Sequence, residues 1–303
     1  MNTKYLKILR SGYLTLIAAA LLTVIFNSSV AGSEGTRVPP IVSAEWLAEN
    51  RSEQGLIILH IAPVKRDYDN GHIPGALFLW PGHIIISTET ETTLPAPVED
   101  ITKVLRSLGV NNNSHVVLCG INGNIIPVCR VFVNLEHVGL KGRVSVLDGG
   151  FDAWKAKGYE VSTVAPVVKK GKFTAAINNN LVDGNWMIKN HTNKSYSIID
   201  ARAKPQYDGI TGLPRAGHIP GAKNIPPTEL YDSKTFRFFD LEKLTQVFRN
   251  MEIPSGGRPV LYCHTGNSAS VSYVAALAAG YDPLIYEGSM EEWASRTELP
   301  IEK

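Results

Sequence analysis

The chain has 303 residues, enough for two domains of ordinary size, each with its own core. Hydrophobic residues make up 44% of it and charged residues 19%, which excludes an intrinsically disordered chain. A formal net charge of +2 gives no electrostatic ground for a nucleic-acid partner or an anionic membrane surface.

Residues 1–31 read as a signal peptide. Lys4, Lys7 and Arg10 form a basic start, Tyr13–Phe26 an apolar stretch, and Ser29-Val30-Ala31 offers small residues where a signal peptidase reads. The apolar stretch is shorter than the roughly 20 residues of a membrane span, and an uncleaved anchor is the rival reading. The segment carries three cations and no acid, so its removal takes the charge from +2 to −1. No second long apolar run follows, so no membrane contact is expected after cleavage. Export implies an oxidising compartment, the bacterial periplasm. The cysteines are Cys119, Cys129 and Cys263, and an odd number in an exported chain leaves at least one free thiol. Cys119 and Cys129, at a strand end and on a helix, are read as unpaired.

Beyond the leader the chain reads as one unit written twice. A short helix around Trp46 leads into a buried strand, Leu56–Ile61, and a long loop carries Gly71-His72-Ile73-Pro74-Gly75-Ala76. The loop motif returns letter for letter as Gly217-His218-Ile219-Pro220-Gly221-Ala222. Around it the second half offers a helix at Trp186, a strand at Tyr196–Asp200, and apolar Leu241, Leu244, Val247, Phe248 and Met251 at helical spacing. A strand, Pro259–Tyr262, then runs into a loop and an Ala-rich helix, Ala269–Ala279, before a last strand, Leu284–Tyr286. Val117-Leu118-Cys119 is matched to Leu261-Tyr262-Cys263, and Asp148-Gly149-Gly150-Phe151 to Glu287-Gly288-Ser289-Met290. The period is half the mature chain, which marks a domain duplication. Apolar runs alternating with helices predict an α/β fold, each half a parallel sheet with helices on both faces.

In such sheets ligands gather at the carboxyl ends of the strands, and Cys263 lies at one. Cys263-His264-Thr265-Gly266-Asn267-Ser268 turns from strand into helix through small residues, which lets successive N–H groups point inward as an anion-binding nest. The helix that follows adds its positive end. A thiol in that cradle is stabilised as thiolate, the nucleophilic form. The alternative is a buried structural cysteine.

This loop, the Asp200-Ala201-Arg202 strand end, the repeated GHIPGA and Tyr286-Glu287-Gly288-Ser289 with Trp293 resemble the tandem-domain rhodanese and mercaptopyruvate sulfurtransferase family over essentially the whole mature chain. The resemblance implies two rhodanese-like domains, at 37–160 and 172–303 with a linker at 161–171, the second catalytic and the first not. It implies that Cys263 takes a sulfane sulfur from thiosulfate, 3-mercaptopyruvate or polysulfide as a persulfide and yields it to a thiol or cyanide-like acceptor, with no cofactor and no metal. His264, Thr265, Gly266, Asn267 and Ser268 would cradle the persulfide, Asp200 and Arg202 brace the loop, and Arg215 meet the donor's anion. A periplasmic thiol reductant is a candidate partner.

The chain also departs from the family. His264-Thr265-Gly266-Asn267 is neither the basic loop of thiosulfate-preferring members nor the Gly-Ser-Gly loop of mercaptopyruvate-preferring ones. Gln206 stands where an arginine is common, and Met290 replaces a tryptophan at what is read as one wall of the site. In the first half, 29 residues separate Cys119 from Asp148 against 24 from Cys263 to Glu287, and His60 replaces the aspartate, so that half is read as structural. A cysteine phosphatase would need an arginine six residues after its cysteine, where Ala269 and Ile125 stand. A non-catalytic sulfur or chalcogen carrier, or an interaction module of a periplasmic redox system, is the remaining alternative.

Overall fold

The computed structural model describes residues 37–87, 93–121, 123–211 and 214–303. The leader 1–31 lies outside the described residues.

Each half is built alike. In the first, β1 (Ile41–Val42) and α1 (Ala44–Asn50) precede β2 (Leu56–Ile61), α2 (Lys65–Asp69) and β3 (Leu77–Leu79). A small hairpin, β4 (Ile85–Ile86) with β5 (Leu94–Pro95), leads to α3 (Val98–Ser107), β6 (His115–Cys119), α4 (Ile125–Leu135), β7 (Val144–Leu147) and α5 (Gly150–Ala156). The second half runs β8 (Leu181–Val182), α6 (Gly184–Asn190), β9 (Tyr196–Asp200), α7 (Lys204–Tyr207) and β10 (Lys223–Asn224). It closes with α8 (Leu241–Arg249), β11 (Arg258–Tyr262), α9 (Asn267–Ala278), β12 (Leu284–Tyr286) and α10 (Ser289–Ser295). The two five-stranded sheets share one order, β1-β7-β6-β2-β3 and β8-β12-β11-β9-β10, with every pairing parallel.

The local signals repeat as well. Ser43 caps α1 by accepting the Trp46 N–H, and Asp183 caps α6 by accepting that of Trp186. In both GHIPGA turns the histidine is buried and takes a backbone carbonyl on Nδ1, that of Tyr68 for His72 and of Tyr207 for His218, each at 2.9 Å. Each ring stacks on the same tyrosine at 3.8 Å, and the tyrosine hydroxyl donates to the alanine carbonyl that ends the motif.

Side chains alternate along the strands between two cores, as a pleated strand requires. Ile58 and Val117 join Leu47 and Trp154 on the outer face of the first half; Ile198 and Val260 join Met187 and Trp293 on that of the second. The inner faces share one core, in which Leu59 and Leu118 of the first half pack with Ile199 and Leu261 of the second. Helices α4 and α9 carry this junction. Every residue from Ala269 to Ala276 in α9 is buried, the pattern of a helix enclosed on all sides. A buried polar cluster crosses the junction: the Tyr273 hydroxyl donates to Glu136 and accepts from Asn180. The segment between the halves lies along the first, with Gly171, Phe173 and Ala176 donating to the carbonyls of Arg106, Val110 and Val138.

Candidate active site

Cys263 follows the last residue of β11 and is only 2% exposed. Its own N–H donates to the Ser289 hydroxyl at 3.2 Å, which donates in turn to the Tyr286 carbonyl at 3.0 Å. The start of α10 holds the loop from below: Met290 N–H donates to the Cys263 carbonyl and Glu291 N–H to that of His264, both at 3.0 Å. Gly266, at φ +87°, turns the chain into α9, whose first residues are Asn267 and Ser268. Among the described residues, no protein acceptor takes the backbone N–H of His264, Thr265, Gly266, Asn267 or Ser268. Five successive backbone donors thus stand unanswered by protein acceptors at the head of a twelve-residue helix.

Asp200 and Arg202 are buried together. Arg202 forks onto the Asp200 carboxylate at 2.5 to 3.0 Å and reaches the Gly217 carbonyl at 2.6 Å, tying the end of β9 to the GHIPGA turn. Burial alone would lower the Arg202 pKa; Asp200 first, then Tyr262 and Cys263, raise it and hold the guanidinium charged. The sequence placed Arg215 as the cation for a donor anion. In the structure its guanidinium is taken up by the carbonyls of Ala294, Arg296 and Leu299, so it clamps the C-terminal segment.

Two further sequence expectations need correction. Cys119 is not the counterpart of Cys263. In the strand register Cys119 lies opposite His60, as Tyr262 lies opposite Asp200. Gly120 is the true equivalent: its carbonyl accepts Phe151 N–H as that of Cys263 accepts Met290 N–H. A slip of one residue turns a strand side chain to the other face. Cys119 accordingly points into the outer core of its half, while Cys263 lies in the shared inner core. The Cys119 thiol is 3.6 Å from the Gly120 carbonyl, and burial, followed by the charge of Asp152, pushes its pKa far up. The loop after it bonds to itself, Asn124 N–H to Ile121 and Ile125 N–H to Gly123. The second correction is Met290, which is fully buried in the outer core with Trp293 rather than forming a wall of the site. All three cysteines are free.

Three residues at the site were missed. Ser289 was legible, since the repeat sets it opposite Gly150, and both adopt positive φ, +51° and +57°. Thr93 and Arg130 come from the first half; Thr93 carries no local signal, and Arg130 only that of a cation within the apolar run of α4. The Thr93 hydroxyl donates to the Thr265 carbonyl at 2.5 Å. Arg130, on α4, is wholly buried and donates to the Glu287 carboxylate at 2.5 Å.

Comparison with known proteins places this geometry. A family model described as "Rhodanese-like domain" matches twice, over residues 43–157 and 183–296. "Thiosulfate/3-mercaptopyruvate sulfurtransferase 1, mitochondrial" of Arabidopsis thaliana is 32% identical, covering 91% of this chain and 80% of its own length. "3-mercaptopyruvate sulfurtransferase" of Escherichia coli (strain K12) is 29% identical over 86% of this chain and 97% of its own. "Sulfur carrier protein TtuD" of Thermus thermophilus is 27% identical over 87% and 96%. Among solved structures, the anaerobic ergothioneine biosynthesis enzyme from Chlorobium limicola superposes with a TM-score of 0.75 at 23% identity, over 88% of this chain and 70% of that one, which shows a common fold.

Proposed function

Because this chain belongs to the rhodanese family and carries its domain twice, we propose that it is a sulfurtransferase working through a persulfide on Cys263. The observation that carries the reading is the row of N–H groups from His264 to Ser268 with no acceptor among the described residues, directly after a cysteine at a strand end. In the first step the Cys263 thiolate attacks the outer sulfur of a donor such as thiosulfate. The Sγ–S bond forms, the donor's S–S bond breaks, and sulfite departs with the electron pair. In the second, a thiophilic acceptor such as cyanide takes the outer sulfur and the thiolate returns as leaving group. Atoms and charge balance in both steps, which need neither metal nor organic cofactor. The negative charge stays on sulfur throughout, at the foot of the loop whose N–H groups from His264 to Ser268 meet no acceptor among the described residues.

Thiosulfate, 3-mercaptopyruvate and polysulfide are the proposed donors; the names of the Arabidopsis and Escherichia coli relatives favour the first two. The first half serves as scaffold, for Gly120 stands where a nucleophile would be needed. Export through residues 1–31 belongs to the proposal, and in the periplasm a thiol reductant keeps Cys263 reduced. A second reading, a sulfur carrier that hands its persulfide to one protein partner, is favoured by the depth of Cys263 and by the name of the Thermus relative.

The test is intact mass after incubation with each donor and then with cyanide. A gain of about 32 Da that cyanide removes, and that Cys263→Ser lacks, supports the persulfide. Sustained thiocyanate formation from thiosulfate and cyanide separates an enzyme from a carrier. No gain with any donor, in folded protein with a free Cys263 thiol, overturns the reading.

A further inference from the structure

We propose that Arg130, a residue of the first half, receives the anionic end of the donor at the Cys263 loop, and so selects donors that carry a sulfonate or a carboxylate. The proposal rests on Cys263 as the sulfur-bearing residue. It gives the first half a part in recognition that its own cysteine does not have.

Arg130 lies on α4, and its side chain is 1% exposed. Nη2 donates to Glu287 at 2.5 Å, while Nε and Nη1 have no acceptor among the described residues. A buried guanidinium with two nitrogens that meet no protein acceptor is costly unless a ligand answers them. One of those nitrogens is placed at the loop. Nη1 stands 3.5 Å from where a β-carbon on Gly266 would lie, and the Thr93 hydroxyl stands 3.7 Å from the same point. Gly266 is the middle of the five-residue donor row, so the guanidinium and the nest meet at one residue. The Glu287 carbonyl lies 3.3 Å from the same point, and the absence of a side chain at 266 leaves Arg130 Nη1 beside the loop backbone.

The chemistry fits an oxyanion. A planar guanidinium matches carboxylate and sulfonate oxygens through paired hydrogen bonds. Glu287 offsets part of its charge but answers only one nitrogen. Arg202 commits Nε and Nη2 to Asp200 and Gly217, which offsets its charge with a carboxylate on its paired edge, and Arg215 is held by three carbonyls, so Arg130 is the cation with two unanswered nitrogens. A neutral sulfane donor gains nothing from this group.

Paired alkylation of the full-length protein tests the proposal. Iodoacetate and iodoacetamide react with Cys263 by the same displacement of iodide and differ in charge, so the ratio of their rates cancels any change in thiolate fraction. Arg130→Gln is expected to lower the iodoacetate-to-iodoacetamide ratio about tenfold, as loss of a charge-assisted hydrogen bond would. Arg130→Lys should retain part of the preference, and Glu287→Gln, which frees the guanidinium of its counter-charge, should raise the ratio. Should Arg130→Gln fail to fold, Glu287→Gln carries the test in the opposite direction. A ratio unchanged in the folded variants overturns the proposal and leaves Arg130 as a tie between the halves. Sulfur transfer is judged separately: thiosulfate loading of Cys263 that is equally fast in Arg130→Gln sinks this inference and leaves transfer standing. An Arg130-dependent alkylation preference in a protein that never gains sulfur does the reverse.

Discussion

Thr93 and Phe236 occupy equivalent places in the two halves, and each reaches into the other half's loop. Each stands two residues before one that pairs back on its hairpin, Pro95 with Ile85 and Phe238 with Tyr231. Both adopt left-handed backbone, at φ +76° and +53°. Thr93 meets the Cys263 loop with a hydroxyl on the Thr265 carbonyl. Phe236 meets the loop after Cys119 with an aromatic ring laid on Gly123 and lines the cleft there with Gly120, Gly149 and Gly150. The duplicated fold makes the same crossing twice: one loop receives a polar contact, the other a plug.

The plug has a measurable consequence. A β-carbon on Gly123 would stand 2.0 Å from the Phe236 ring, and Gly123 sits at φ +67°. Gly123→Ala is expected to destabilise the protein by about 1–3 kcal/mol through backbone strain and overpacking. Adding Phe236→Ala should relieve the overlap but not the strain, so the double variant is expected to lose less than the sum of the singles. Thermal midpoints of the four proteins check this. Cyanide-labile sulfur on Cys263 should be unchanged, because neither residue touches that loop.

The repeat made the architecture legible. Two copies of GHIPGA fix the register of the duplication, and the strands Leu56–Ile61, Tyr196–Asp200 and Leu284–Tyr286 fall where apolar runs ended. What the repeat did not give was the one-residue offset at the first cysteine, since matching like with like put Cys119 on Cys263 and strand pairing puts it on Tyr262. Nor does local sequence reveal contacts across the halves. Arg130 and Glu287 are 157 positions apart, and only the packing of α4 on α9 brings them together. An arginine amid the apolar run of α4 was the one visible sign.

Ser289 separates strain from hydrogen bonding. It holds φ +51°, a region that favours glycine, while its hydroxyl joins the Cys263 N–H to the Tyr286 carbonyl. Ser289→Ala keeps the strain and loses both bonds; Ser289→Gly loses the bonds and relieves the strain. Stability is expected to fall in the order wild type, Ser289→Gly, Ser289→Ala, with about 1–3 kcal/mol between the extremes. Both should slow sulfur loading from thiosulfate, followed by intact mass, because the N–H that fixes Cys263 is set loose.

The brace at Asp200 and Arg202 is answered in the first half by His60, an uncharged neighbour of Ala62. Removing one member of a buried ion pair strands the other, so Asp200→Asn is expected to cost about 3–5 kcal/mol. Asp200→His with Arg202→Ala imports the neutral solution already used at His60 and Ala62. It should be more stable than Asp200→His alone, which leaves a buried guanidinium without its partner. Denaturant unfolding of Asp200→Asn, Asp200→His, Arg202→Ala and the double variant gives the comparison, and an additive double variant would show that the two residues do not act as a pair.

His60 makes stability depend on pH. Burial, with the nearby charge of His72, lowers its pKa from 6.5 to about 4, and neither ring nitrogen has a partner among the described residues. The folded state thus binds the proton more weakly than the unfolded one. The stability this gives is full above pH 6.5 and is lost as pH falls from there towards 4, with about 2 kcal/mol gone by pH 5. His115, lowered to about 4 by burial and then by Arg143, adds a loss of the same sign. His60→Phe removes the titrating group from a pocket already bounded by Tyr68 and Phe151. The thermal midpoint of His60→Phe should therefore fall less than that of wild type between pH 7 and pH 5. An equal fall would place the acid sensitivity on His115 or on other groups.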